Sequence, residues 1–248
     1  CWSSCTNEVD EFIGNVEPST RSVSTALNAN LASLFTGGAP TLTSAEIKEV
    51  NDAYAKMTSI NCYRNIDEAV RNKTSYAGTI FLDDTYASAY FRKGSLAFPP
   101  YGILASSMEH EFIHMYQRDV QGKKVDTDKE KRDTGMMEFE LAFYQGIIRY
   151  IHAGYSWTFK GEDGDPSYQS LWTSGLTDPS LIPQYEREFQ TYVASICANG
   201  KPTSIDINEF VKWSNIFGEY SRGYSGKGYK FGNYDYGTSC INSLLKLY

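Results

Sequence analysis

Three histidines occur in the chain, and two of them stand four residues apart in His110-Glu111-Phe112-Ile113-His114. Successive residues of an α-helix are turned by ~100°, so positions i and i+4 lie ~40° apart on one face, one turn above the other. Two imidazoles so placed reach a single ion. Glu111 is turned ~100° from His110, so it flanks that ion and can hold a water beside it as a general base. A tetrahedral catalytic zinc takes three protein ligands and keeps a fourth position open. The spacing therefore points to a metal site that suits Zn2+. Met108, Phe112, Ile113, Met115 and Tyr116 surround the pair with apolar side chains, and polar groups buried among them need partners, which a metal supplies.

The third ligand must come from elsewhere in the chain. The segment Met136-Met137-Glu138-Phe139-Glu140-Leu141-Ala142-Phe143 puts two carboxylates into an otherwise apolar helix. Carboxylates are rarely buried unless paired or coordinating. Glu138 also shares a stripe with Gln145 and Arg149, at roughly 0°, 340° and 20°, which is what a solvated helix face looks like. Glu140 shares the more apolar face with Phe143, Tyr144 and Ile147. Both carboxylates stay open as the ligand.

A helix bearing HExxH, a connecting loop and a Glu-bearing helix resemble the zincin metallopeptidases, and specifically their gluzincin branch. Glu138 to Phe143 (EFELAF) is similar to the E-F-x-A-D segment in which prenyl-protein-processing zinc endopeptidases place their third ligand. On that match the ligand is Glu138; Leu141 stands for the Ala and Ala142 for the Asp, and these departures keep Glu140 as the alternative. The metzincin pattern HExxHxxGxxH is not met, because Gln117 and Val120 occupy its Gly and third His. His114-Met115-Tyr116-Gln117 also resembles exported Bacteroides-type proteins carrying HExxH-x-Y-Q. The resemblance spans about 60 residues, ending near Ile151. It implies a zinc peptidase in which Glu111 moves the proton, with the substrate laid against an edge strand. That strand would be either Ala89 to Arg92 or Leu96 to Phe98. It also implies an oxyanion-stabilising Tyr or His, which cannot be chosen among 19 Tyr. His152 would lie about four turns beyond Glu138, roughly 20 Å away, and is expected to be structural unless the helix breaks at Gly146.

The elements that must hold these residues can be read from periodicity. Residues 21–35 predict a helix ending at Gly37-Gly38. Thr43 and Glu46 form a capping box that opens a helix to about Met57. A short helix is expected over Ile66 to Asn72. Residues 78–82 and 86–98 read as strands, with a hairpin turning at Lys93-Gly94. Helices are expected at 102–120 (closing at Gly122), 136–151, 182–198, 206–219 and 239–248, with irregular segments at 121–135, 154–180 and 221–238. The sum is an α+β fold, mainly α-helical, with a small early sheet. Residues 1–20 read as a tether and 21–248 as one catalytic domain, with a lobe boundary near 121–135.

Hydrophobic residues make up 41% and charged residues 21%, an ordinary globular balance. The net charge of −7 excludes a global basic field for nucleic acid. No apolar run approaches the ~18 residues of a membrane span. The cysteines are Cys1, Cys5, Cys62, Cys197 and Cys240. Cys1 and the polar stretch after it resemble a mature bacterial lipoprotein, which implies an exported protein, periplasmic or at the cell surface, with membrane attachment through lipid on Cys1. In that oxidising setting the other four cysteines could form up to two disulfides. Asn72-Lys73-Thr74 is a single glycosylation sequon.

The leading expectation is a zinc metallopeptidase acting on a peptide or protein substrate. The alternative is a catalytically silent zincin scaffold that binds glycan or protein through Tyr-rich loops such as 221–238. An intact Glu111 favours the enzyme, since a silent scaffold needs no acid beside the metal.

Overall fold

In the computed structural model, residues 26–124, 131–152, 180, 182–221 and 224–248 are described. The expected tether, most of the loop at 154–180, and Cys1 and Cys5 lie outside them. The fold is α+β and mainly α-helical: eight α-helices and one three-stranded sheet among the described residues.

The N-terminal half runs α1 (Ala29–Leu34), α2 (Ser44–Thr58), α3 (Asn61–Lys73), β1 (Ile80–Leu82), β2 (Tyr90–Arg92) and β3 (Ser95–Phe98). The Thr43–Glu46 capping box forms, each side chain satisfying the other's backbone N–H at the start of α2. Helix α3 is longer than its expected core of 66–72. It starts after Ile60, which offers no side-chain cap, so the sequence carries no start signal there. Cys62, Tyr63, Ile66 and Val70 are its buried stripe.

The sheet order is β1-β3-β2. Strands β2 and β3 form the expected hairpin, with Lys93 (φ 51°) and Gly94 (φ 79°) both left-handed, as a tight two-residue turn demands. Strand β1 pairs with β3 in parallel. The returning strand Leu96 to Phe98 is therefore central, with both edges occupied, and β2 alone of the two candidate strands lies at an edge of the sheet among the described residues.

Helix α4 (Ala105–Met115) carries the HExxH residues and passes into a π-helical turn, Tyr116–Val120. The expected 102–120 helix thus begins three residues later and ends in a wider winding. Gly122 then takes φ 69°, where the chain turns away. Helix α5 (Lys131–His152) is continuous through Gly146. Helices α6 (Ile182–Ile196), α7 (Ile207–Tyr220) and α8 (Ser239–Lys246) complete the C-terminal half.

Helix α5 is the axis of that half. Phe139 meets Phe210 and Phe217 at ring separations of 4.9 and 5.8 Å, and Phe143 meets Phe189 at 5.5 Å. One buried cluster runs from Leu31 to Leu245, so α4 and α5 are anchored by apolar contacts on both sides. The expectation of disulfides is corrected here for three of the cysteines. Cys62, Cys197 and Cys240 are buried free thiols. They sit on α3, just after α6 and on α8, each filling core space as a small apolar residue.

Candidate metal centre

The antiparallel approach of α4 and α5 brings His110, His114 and Glu138 together at the floor of a cleft of about 760 Å³. His110 Nε2 and His114 Nε2 are 3.1 Å apart. Glu138 places Oε1 3.3 Å from His114 Nε2 and Oε2 3.7 Å from His110 Nε2. Ligand atoms bonded to one tetrahedral zinc at about 2.0–2.1 Å are separated by roughly 3.3 Å. The two separations at His114 lie close to that value and the one at His110, to the other carboxylate oxygen, is longer, so the three side chains suit such an ion with a small adjustment. Among the described residues this is the one group of three or more His, Cys, Asp or Glu side chains close enough to share a metal.

Glu138 rather than Glu140 converges with the histidines. Its stripe-mates Gln145 and Arg149 also border the cleft, and Gln145 is buried, so the stripe is a cleft wall and not an ordinary solvated face. Glu140 is fully buried on the neighbouring face. There its Oε2 accepts from Gln117 Nε2 and from the Tyr236 hydroxyl, both at 2.8 Å. Burial raises its pKa, against the pull of Cys240, Gln117 and Tyr236.

The charges around the centre are strongly coupled. Burial, and then His114, push His110 down to about 4, even though 35% of its side chain is accessible. Burial also opposes charge on His114, but the Glu138 carboxylate outweighs it and raises His114. Burial works against Glu138 likewise, and His114 overcomes it and lowers the carboxyl. Glu111 stands outside the ligand group. Burial raises it to about 8, while His114 and the backbone N–H of Phe91 on β2 favour its ionised form. The catalytic-base candidate thus touches the edge strand.

Four tyrosines line the cleft beside polar residues that include Ser106, Ser107 and Arg118. Tyr86 and Tyr90 pair at 4.8 Å there, and Tyr224 and Tyr229 are the other two. The Tyr224 hydroxyl donates to Glu138 Oε2 at 2.8 Å. The loop that carries Tyr224 is pressed onto the helices. A Cβ on Gly218 of α7 would come within 2.1 Å of the Phe231 ring, and one on Gly135 of α5 within 2.8 Å of the Lys230 carbonyl oxygen. Sequence reasoning did not single out Tyr224, because nothing local separates it from the other tyrosines. It also passed over Gln117, whose signal was available: a polar residue one turn beyond His114 in an apolar helix. His152 takes no part in the centre; its ring meets the edge of Tyr248 at 5.5 Å. No protein-family model matches the chain, no curated protein matches its sequence, and no solved structure matches its fold.

Proposed function

We propose that the chain is a zinc-dependent metallopeptidase of the zincin type, with His110, His114 and Glu138 as ligands and Glu111 as general base. The observation that carries this is the convergence of two imidazoles and one carboxylate, their ligand atoms within 4.8 Å of one another, with a second, non-ligating carboxyl, Glu111, in the same cleft. Zinc held there supplies a Lewis acid that brings the pKa of water near neutrality and polarises a scissile carbonyl.

The residues divide the remaining work. His110 and His114 offer ring nitrogens from successive turns of α4, and Glu138 crosses from α5 to neutralise part of the ion's charge. Glu111 takes a proton from water and returns it to the leaving amine. A cation beside Glu111 favours its ionised, proton-accepting form. Strand β2, at the sheet edge and along the cleft, offers main-chain partners to an extended peptide. The Tyr pairs flank that path and suit apolar or aromatic side chains.

Glu111→Gln keeps the shape and removes the basicity. The expected result is unchanged zinc content and folding, with hydrolysis of a broad peptide library reduced at least ~100-fold. Equal cleavage by wild type and variant would defeat the assignment of Glu111. Zinc uptake with no cleavage by either would favour the silent scaffold whose Tyr-lined cleft binds without turnover.

A further inference from the structure

The buried contacts behind His114 carry an inference that rests on the metal-site reading above and deepens it. His114 Nδ1 lies 2.8 Å from Gln117 Oε1. The Gln117 amide nitrogen donates to the Met137 carbonyl at 2.9 Å and to Glu140 Oε2 at 2.8 Å. A backbone carbonyl can only accept, so the amide is held with its NH2 toward α5 and its oxygen toward His114. An amide oxygen can only accept as well, so the proton of this contact belongs to Nδ1. In the neutral ring Nε2 then keeps its lone pair on the cleft side, where Glu138 and His110 converge. Gln117 is fully buried, Glu140 is fully buried, and Tyr236 closes the chain by donating to Glu140 Oε2.

We propose that Gln117 and Glu140 are positioning residues of the metal centre: a buried relay, His114–Gln117–Glu140, sets the tautomer and orientation in which His114 binds zinc. Glu140 acts through Gln117 and does not touch the ion. Its place on α5 means that one helix supplies a ligand from Glu138 and the support for another ligand from Glu140, two residues on. The π-helical turn beginning at Tyr116 winds this part of the chain, with Gln117 inside it. Outer partners of metal-bound histidines are worth ~10–100-fold in affinity, which sets the size of the expected effect.

The test is competitive zinc titration against a chromophoric chelator, with cobalt loading read by its visible absorption. Gln117→Leu and Glu140→Leu should each weaken zinc ~10–100-fold while the cobalt spectrum keeps the ligand number of wild type. Glu140→Gln, whose amide oxygen can still accept from Gln117, should restore most of the loss. Glu138→Leu should change the cobalt spectrum itself. Unaltered affinity in Gln117→Leu and Glu140→Leu would overturn the relay and leave the metal site standing. A changed spectrum in Glu140→Leu would make Glu140 a ligand and overturn it too. No zinc uptake by wild type would end both readings. Should the leucine variants fail to fold, the zinc-loaded wild type decides alone. Its His114 Nδ1–H should give a downfield NMR signal slow to exchange with water, and exchange at the rate of an open imidazole would overturn the proposal.

Discussion

Tyr224 donates its hydroxyl to Oε2 of Glu138 at 2.8 Å, while the other oxygen of the same carboxylate faces His114 Nε2 at 3.3 Å. Oε1 is thus free of the tyrosine and turned to His114, while Oε2 holds Tyr224 and lies 3.7 Å from His110 Nε2. A carboxylate held in this way has Oε1 left as the oxygen for an ion in the proposed centre, and one donor per carboxylate is what a tetrahedral site takes.

Tyr224→Phe removes that hydroxyl and keeps the ring between Phe217 and Tyr229. Zinc affinity should fall about tenfold, the lower end for an outer partner, with little change in melting temperature of the metal-free protein. Chelator competition measures it. An unchanged affinity would show that Glu138 needs no such anchor.

On the proposed function zinc binds the folded chain in preference to the unfolded one, so metal should add stability by mass action. At a free concentration 1,000 times the dissociation constant the gain is ~4.1 kcal/mol. In a chain of 248 residues this corresponds to roughly 8–16 °C in melting temperature. Calorimetry of chelator-treated and zinc-restored protein should show that difference, and Glu138→Ala should show none of it.

Gly218→Ala tests how the tyrosine-bearing loop is seated. The added methyl would collide with the Phe231 ring, which has to move off α7. Overpacking of this kind costs ~1–3 kcal/mol. Because the same loop carries Tyr224, zinc affinity should drop together with stability. A stability loss at full affinity would separate the loop's docking from its service to Glu138.

The cysteines give a prediction about pH. Burial raises Cys62 and Cys197 to about 11, from 9. A group whose pKa is raised by folding contributes stability that is complete below its unfolded pKa and is lost as pH rises through the folded one. Stability should therefore decline between about pH 9 and 11. In a chain with Cys1→Ser and Cys5→Ser, a thiol reagent at pH 8 should find no reactive cysteine in the native protein. It should find three after guanidinium is added.

What the sequence disclosed and what it withheld divide along range. His110, Glu111 and His114 lie within one helical turn, so helix geometry alone predicts their arrangement. The Thr43–Glu46 box and the Lys93-Gly94 turn are equally local and form as expected. Glu138 and Glu140 differ by a rotation on one helix. Choosing between them depends on which face of α5 meets α4, and that is decided by the aromatic packing of Phe139 and Phe143 far from the motif. Tyr224 and Tyr236 are set by a loop whose path follows from contacts at Gly218 and Gly135, and no periodicity encodes it. The three buried thiols were legible as apolar core only once their helices were placed.

Both carboxylates of α5 are completed by hydroxyls from the last stretch of the chain: Tyr224 for Glu138, Tyr236 for Glu140. A ribosome makes His110 and His114 more than a hundred residues before Tyr236. During that interval the motif exists without the groups that orient it. On the proposed function, zinc capture at full affinity is thus tied to the loop of Tyr224 and Tyr236 having been synthesised and docked, so a half-made chain would carry the HExxH sequence while the proposed centre is still unassembled.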